Sequence, residues 1–211
     1  MARRVVCISR LVGAGGELVG RAVADTLGYR LVDEEILQQA AESSGVSVDE
    51  LADVEHRTKV IDGLLRNLAI AGGAAGLTTP GASVAIDVGG VTDPKSLRAL
   101  IQKSIHETAG RGDVVIVSHA ASHALADNVD VLRVLVTASP ETRTTRVAQE
   151  ASLDDKKASK LVAASDAQRA QYLRRFYGVN EERPTQYDLS LNSDSLSIEL
   201  MSDLIVRAAA L

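Results

Sequence analysis

The chain of 211 residues contains no tryptophan, one phenylalanine and one cysteine, and aromatic residues make up only 2% of it. With so few aromatic side chains, the core must be built from Val, Leu, Ile and Ala, which suits parallel strands covered by helices. The single cysteine, Cys7, excludes a disulfide within the chain. Because Cys7 lies in an apolar β-branched run, we expect a buried structural residue rather than a reactive thiol.

An excess of positive charge is also missing, since 23 Lys and Arg residues stand against 28 Asp and Glu residues. This balance argues against non-specific binding to nucleic acid or to an anionic membrane. The first residues, MARRVVCISR, hold too few consecutive apolar residues for a signal-peptide core, so we expect a cytoplasmic location. The uncharged run 67–86 approaches the length of a membrane span, but its glycines, threonines and proline predict a flexible loop.

Apolar runs alternate with helical stretches along most of the chain. The runs VVIV and VLRVLV predict buried parallel strands, and Asp93 and Ser139, each followed by proline, predict helix starts. Right-handed crossovers then predict an α/β fold: a three-layer, doubly wound parallel sheet with its ligand crevice at the carboxyl ends of the strands. The predicted strands are Arg4–Ser9, Tyr29–Val32, Asp113–Ser118, Val131–Thr137 and Tyr187–Leu191. The predicted helices are Glu17–Leu27, Glu34–Glu42, Val48–Ile70, Pro94–Ala109, Pro140–Gln149, Leu153–Phe176 and Ser195–Ala210.

Two segments interrupt this alternation within what we predict to be a single domain, 1–211. Residues 48–90 combine a helical stretch with a Gly/Ala-rich loop, which indicates a mobile insert. Residues 152–182 are rich in charge and show helical periodicity, which indicates a helical lid. The core then consists of 1–47, 91–151 and 183–211.

A strand, a glycine cluster and a helix open the chain. The cluster contains Gly13, Gly15 and Gly16, and the helical pattern behind it ends at Gly28. Glycines let backbone N–H groups approach a phosphate, and a helix N-terminus adds partial positive charge. The Walker pattern requires a lysine and then Ser or Thr after its last glycine, whereas this chain has Gly16 and Glu17 there.

The dinucleotide fingerprint G-x-G-x-x-G fits the cluster only in part. Gly13 and Gly15 match, and Asp33 follows about twenty residues later, where a ribose-binding acid would lie. Leu18 occupies the third glycine position, where we expect its side chain to push the helix away from the strand. An NAD-binding oxidoreductase, and a tight turn without any ligand, therefore stay as alternatives.

The chain resembles the cytidylate kinase-like proteins, a branch of the P-loop nucleoside monophosphate kinases, in three segments: ISRLVGAGGELVGRAVADTLGYRLVDEEIL, VLRVLVTASPETRTTRV and DAQRAQYLRRFYG…YDLSLNS. The resemblance covers nearly the whole chain and is weakest in 71–90.

The resemblance implies a P-loop kinase fold with an acceptor-binding insert and a helical lid. It also implies phosphoryl transfer from ATP, with Mg²⁺ bridging the donor phosphates, to a nucleoside monophosphate such as CMP or dCMP. The partner implied is thus a small-molecule nucleotide, and the sequence leaves room for a homo-oligomer. Members of this branch often read S-R-x-x-G-S-G-G, so the missing lysine is partly a trait of the branch.

The same resemblance implies the site residues, in groups that share a task. The ATP phosphates fall to the glycine loop, formed by Gly13, Ala14, Gly15 and Gly16 with Glu17 behind it. The donor site is flanked by Arg143 and Arg146, and the acceptor by Asp33 and His119. The charge for transfer falls to Arg10 and to the lid residues Asp166, Arg169, Arg174 and Arg175. Arginine suits this work because its fork matches phosphate oxygens and transfer needs cations around them.

Each arginine also has a structural alternative. Arg143 and Arg146, three residues apart on one helix, fit a solvated helix face. The lid arginines fit ion pairs with Asp166 and nearby acids.

Three departures from the family pattern bear on catalysis, and one of them is the insert, whose many Gly and Ala residues leave few side chains that could recognise a base. Glu17 replaces an arginine, and we expect it to favour the helix N-terminus and to pair with Arg21; Mg²⁺ binding is the alternative. His119 replaces the arginine of the turn after the third strand, and a neutral histidine is a weak anion ligand. His119 and His123 have metal-ligand spacing, but no third ligand stands nearby, so we predict no metal pair. A catalytically weak or inactive, nucleotide-binding or regulatory protein is the alternative function.

Overall fold

The computed structural model describes residues 3–33, 35–54 and 93–211. At its centre is a five-stranded sheet in the order β2-β3-β1-β4-β5, and all its paired strands are parallel. The strands are β1 (Val5–Arg10), β2 (Arg30–Val32), β3 (Val114–Val117), β4 (Val131–Thr137) and β5 (Leu189–Asn192). The described helices are α1 (Gly16–Leu27), α2 (Glu35–Ser44), α3 (Val48–Val54), α4 (Pro94–Arg111), α5 (Ala121–Ala124), α6 (Pro140–Glu150), α7 (Asp155–Tyr177) and α8 (Ile198–Ala209).

The central strand β1 pairs with β3 on one side and β4 on the other. The three inner strands, β1, β3 and β4, are mostly apolar because helices cover both faces of the sheet. One face packs on α2 and α4 through residues such as Ile36 and Ile101, and the other packs on α1 and α8 through Val23 and Ile205. Cys7 is fully buried in β1, and burial raises the pKa of its thiol to about 12. The predicted doubly wound α/β fold is confirmed.

Side chains cap the helices where the sequence predicts starts. The Asp93 carboxylate accepts a hydrogen bond from the Ser96 N–H (3.3 Å), and the Ser139 hydroxyl accepts one from the Thr142 N–H (3.2 Å). Each cap satisfies an N–H group that the first turn of a helix leaves without an intrahelical partner.

The main differences from the predicted elements lie near the ends of the chain and in the insert. β5 begins at Leu189 rather than Tyr187, because a 3₁₀ turn at Pro184–Gln186 precedes it and Tyr187 turns into the core. The short α5 has too few residues to show a helical period. The helix predicted at 48–70 is described over Val48–Val54. The rest of the predicted insert, including the loop at 67–86, lies outside the described residues.

The expectation that Leu18 separates α1 from the sheet is wrong. Leu18 is 60% exposed. Close packing instead occurs at Gly20, where an added Cβ would come within 2.6 Å of Val117 Cγ2. Gly20, one turn into the helix, therefore allows the close helix–strand approach that the fingerprint assigns to its third glycine.

Helix α7, which forms most of the predicted lid, packs on the rest of the protein near both of its ends. Leu161 and Val162 pack against Val147 of α6. About three turns further on, Tyr172 packs in a cluster with Ala120, which follows β3. Within the described part of the chain, no helix is long and apolar enough to cross a membrane.

Candidate active site

The turn between β1 and α1 requires glycine at three positions. Gly13 and Gly15 have φ of +76° and +82°, the left-handed region in which a Cβ is strained. At Gly16 the reason is proximity, since a Cβ there would come within 2.5 Å of Arg10 Cβ. The strand, the turn and the helix are thus arranged as the sequence predicts.

Three successive carbonyl groups of this turn accept hydrogen bonds from side chains outside it. The bonds are Arg143 Nη1 to Val12 O (3.5 Å), Arg146 Nη1 to Gly13 O (3.3 Å) and Ser193 Oγ to Ala14 O (2.9 Å). Across the described residues, no hydrogen bond takes the N–H of Gly13, Gly15 or Gly16. These three donors, at or next to the N-terminus of α1, are therefore available to an anion.

Glu17 forms an ion pair with Arg10, not with Arg21 as predicted. Glu17 lies in the first turn of α1, and Arg10 ends β1, so the pair spans the glycine turn. The side chain of Arg10 is 20% exposed and that of Glu17 is 49% exposed. Arg10 lies beside the turn as predicted, but its charge is shared with a carboxylate.

Arg143 is buried, with its side chain only 3% exposed, so the solvated-face alternative is wrong for it. Its Nη1 and Nη2 donate to the two carboxylate oxygens of Asp166 (2.9 and 2.7 Å), and its Nε donates to Ala138 O (3.2 Å). With the contact to Val12 O, the guanidinium joins the end of β4, the glycine turn and α7. Arg146, half-buried and bonded to Gly13 and Ser193, is not solvated either.

Arg169 pairs with Glu182, and not with Asp166. Its Nε and Nη2 donate to the two carboxylate oxygens at 2.8 and 2.6 Å, and both side chains are less than one-fifth exposed. The Tyr187 hydroxyl donates its single proton to Glu182. Its oxygen is therefore the acceptor in the hydrogen bond with His123, and the Nε2–H of His123 is the donor (3.1 Å).

This environment shifts two pKa values in opposite directions. Burial disfavours the ionised form of Glu182, but the hydrogen bonds and positive charge of Arg169, together with the hydrogen bond from the Tyr187 hydroxyl, outweigh it and hold the pKa of Glu182 well below its ordinary range. Burial, aided by the negative charge of Glu182, raises the pKa of Tyr187. The carboxylate thus stays charged and the phenol stays a donor.

Arg174 and Arg175 are both exposed, near the C-terminal end of α7. The guanidinium of Arg175 lies 5.0 Å from the centre of the Phe176 ring. Arg174 is about 12 Å further along the helix axis than Asp166, at 1.5 Å per residue. In the part of the chain that is described, no hydrogen bond or ion pair joins either arginine to the glycine turn, and neither pairs with Asp166.

The turn after β3 brings together the two residues predicted to face the acceptor. His119 is buried, its Nε2–H donates to the main-chain oxygen of Asp33, and Nε2 lies 3.5 Å from Asp33 Oδ1. Ser118, His119 and Ala120 have φ of +73°, +55° and +50°. Left-handed backbone costs a non-glycine residue roughly 1–2 kcal/mol, and such strain clusters at functional sites.

His119 and His123 have metal-ligand spacing in the sequence, but they bond to different partners: His119 to Asp33, and His123 to Tyr187. Over the described ranges, no group of three or more His, Cys, Asp or Glu side chains is placed to hold a metal ion.

Neither Ser193 nor Glu182 is among the residues predicted from the sequence. Ser193 directly follows β5, so it lies at the same sheet edge as the glycine turn, and that position was a usable signal. Glu182 has no local signal, because its importance depends on Arg169, thirteen residues earlier on another element.

Comparison with known proteins agrees with this arrangement. The model of the cytidylate kinase-like family matches residues 5–195. Cytidylate kinases of Methanocorpusculum labreanum and Archaeoglobus fulgidus are 26% and 24% identical over 208 residues, covering 97% and 96% of this chain and 96% and 93% of theirs.

Two solved structures share the fold over 97% of both chains. They are an uncharacterized protein from Eubacterium ventriosum (TM-score 0.65, 18% identity) and the shikimate kinase of Bacteroides thetaiotaomicron (TM-score 0.51, 16% identity). Since the family match spans all five strands of the sheet, the glycine turn and α7, the chain belongs to the cytidylate kinase-like family.

Proposed function

We propose that this protein is a nucleotide kinase that transfers a phosphoryl group from ATP to a nucleoside monophosphate, with CMP or dCMP as the acceptor. Family membership supports nucleotide kinase activity. The observation that carries the proposal is the glycine turn, whose carbonyl groups are bonded from outside while the N–H groups of Gly13, Gly15 and Gly16 stay available. A cytoplasmic location, where both nucleotides are at hand, fits this role.

At the donor end, the ATP phosphates lie against these three N–H groups and the N-terminus of α1. The turn offers no lysine, so Arg10, whose side chain lies against Gly16, supplies the positive charge. The residues fit Mg²⁺ through the partly exposed carboxylate of Glu17, since this ion takes one or two carboxylates together with phosphate oxygens. When bound, Mg²⁺ supplies charge that neutralises the donor phosphates.

At the acceptor end, Asp33 and His119 follow β2 and β3 at the carboxyl edge of the sheet, beside the glycine turn that follows β1. Ligands of open α/β sheets bind along this edge. The acceptor phosphate can therefore meet the donor phosphate in line across it. We assign residues 48–90 to acceptor binding, as the insert predicted by the family pattern.

Helix α7 acts as the lid, within the predicted segment 152–182. Arg169 uses Nε and Nη2 for Glu182, which leaves Nη1 to donate to a phosphate oxygen. Because Glu182 and Tyr187 hold the guanidinium in one orientation, the cation is positioned before substrates bind. Phosphoryl transfer depends on such positioning and charge more than on covalent help.

A coupled ADP-release assay with MgATP and CMP, dCMP, UMP or AMP tests the proposal. We expect turnover with CMP and dCMP above the other two acceptors. Arg169→Ala should lower kcat at least 100-fold, as expected for loss of a guanidinium that stabilises the transition state. Arg183→Ala is the matched control, because Arg183 also pairs with a glutamate but is about two-thirds exposed. No turnover with any acceptor would refute kinase activity.

One observation favours the second candidate, a nucleotide-binding protein without catalysis. Arg10, Arg143 and Arg169 each face a carboxylate, and the buried His119 stands where the family pattern has an arginine. Saturable ATP binding by calorimetry without turnover would support this candidate. Activity gained by Glu17→Arg with His119→Arg would identify a kinase that has lost its cations.

A further inference from the structure

We infer that Arg146 and Ser193 act through the backbone of the glycine turn: they orient its peptide groups and do not bind the ATP phosphates themselves. This inference rests on the proposed function, in which that turn holds the donor phosphates. It changes the role expected for Arg146 and gives one to Ser193, which follows β5.

Arg146 donates hydrogen bonds to Ser193, and each of the two side chains donates one to a carbonyl group of the turn. Arg146 Nη1 donates to Ser193 Oγ (2.8 Å) and to Gly13 O (3.3 Å), and its Nη2 donates to Ser193 O (2.8 Å). Ser193, only 5% exposed, spends its single hydroxyl proton on Ala14 O (2.9 Å). Because the hydroxyl already accepts from Arg146, its proton has a defined direction.

These bonds determine which way two peptide groups face. A trans peptide is planar, so its C=O and N–H point to opposite sides. Holding Ala14 O towards Ser193 turns the Gly15 N–H away from Ser193. Holding Gly13 O towards Arg146 likewise turns the Ala14 N–H inwards, where it donates to Leu11 O (3.0 Å) and closes the turn.

The turn needs this support because its own residues supply little. Gly13 and Gly15 populate several backbone conformations at low cost, so the peptides between them are free to rotate without an outside bond. A rotated Ala14–Gly15 peptide would present a carbonyl oxygen, instead of an N–H, to the phosphate. With no lysine in the turn, phosphate affinity depends on these N–H groups, and a bond at the carbonyl also strengthens the N–H of the same peptide as a donor.

The test compares Ser193→Ala and Ser193→Cys, which lack a strong donor, with Ser193→Thr, which keeps the hydroxyl. Ser190→Ala is the matched control, since Ser190 is an exposed residue of β5, the strand that Ser193 follows. Calorimetry measures the Kd of MgATP, of Mg²⁺-tripolyphosphate and of CMP. Tripolyphosphate is the decisive probe because it has phosphates and no base or sugar.

We expect Ser193→Ala and Ser193→Cys to weaken MgATP and tripolyphosphate about ten-fold alike, which corresponds to about one hydrogen bond. The Kd of CMP should stay unchanged, and Ser193→Thr and Ser190→Ala should match the wild type. Arg146→Ala should weaken both donor-side ligands, with partial rescue in Arg146→Lys. The Cys variant keeps an atom in the place of the hydroxyl oxygen, so it serves if the Ala variant does not fold.

Two failures are distinguishable. If the wild type binds MgATP but Ser193→Ala and Ser193→Cys bind it equally well, the inference is wrong while the proposed function stands. The inference is also wrong if Arg146→Ala weakens MgATP and leaves tripolyphosphate unchanged, because Arg146 would then contact the nucleoside. If the wild type binds neither MgATP nor tripolyphosphate, the proposed function and the inference both fail.

Discussion

Replacing Asp166 with alanine should leave the Arg143 guanidinium buried without its carboxylate. Arg143 is 3% exposed and makes two bonds to Asp166, at 2.9 and 2.7 Å. Removing one partner of a buried pair typically costs about 3–5 kcal/mol. Because Asp166 itself is 37% exposed, water screens the pair on that side. We therefore expect the free energy of unfolding to fall by about 3 kcal/mol, at the low end of that range.

Urea unfolding at neutral pH measures this loss, with the slope of the free energy against urea expected to stay unchanged. In a thermal scan, a loss of this size lowers Tm by roughly 6–12 °C for a chain of this length. Glu181→Ala is the control. Glu181 pairs with Arg183 at 2.8 Å, but both side chains are about two-thirds exposed. Its loss should cost less than about 1 kcal/mol.

The double variant Arg143→Met with Asp166→Leu separates a stranded charge from a lost contact. With no charge left to bury, it should recover most of the stability that Asp166→Ala loses. A loss below about 1 kcal/mol for Asp166→Ala, similar to that of an exposed pair, would refute the view that Arg143 is buried and committed to α7.

Three further outcomes concern stability. Gly20→Ala should destabilise the fold by about 1 kcal/mol in urea unfolding, because crowding of the stiff Val117 side chain, 2.6 Å from the new Cβ, outweighs the gain in helix propensity; stabilisation would contradict this. Ser152→Gly should stabilise by about 1 kcal/mol, since Ser152 is exposed and has a φ of +52° two residues after the end of α6, whereas Ser152→Val should destabilise. The stability lost in Glu182→Gln should be full at neutral pH and shrink as the pH falls below the ordinary glutamate pKa of about 4.3. The reason is that a lowered pKa stabilises the folded state fully only while the same carboxyl is also ionised in the unfolded chain. A difference that grows in acid would contradict the pairing of Glu182 with Arg169.

The arrangement of charges suggests why the family pattern alone is a weak guide to catalysis here. Each predicted phosphate-binding arginine that is buried or half-buried already has a partner in the described structure: Glu17 for Arg10, Asp166 for Arg143, Ser193 for Arg146 and Glu182 for Arg169. The hydrogen bonds of Arg143 and Arg146 leave these two side chains in a different position from Arg169. The first two are spent on the protein, whereas the Nη1 of Arg169 makes no bond to Glu182 and is the atom that we propose binds a phosphate oxygen.

The sequence by itself determined the elements and their order. Strand runs such as VVIV, the caps at Asp93 and Ser139, and the glycine turn were predicted because each signal lies within a few residues of the structure it specifies. The order of these elements then implied a doubly wound sheet, since parallel strands joined by right-handed crossovers have few arrangements.

Only the tertiary structure decided which charged and polar groups meet. Arg146 reaches Gly13 across 133 residues of sequence, and Ser193 reaches Ala14 across 179. A pattern in the chain can show that an arginine stands on a helix, but its partner depends on which segments the sheet brings to one edge. Burial then selects the pairs, because a guanidinium removed from water must be matched by an acceptor. The sequence therefore predicted a phosphate-binding turn, and the fold decided that Arg146 and Ser193 support it from outside.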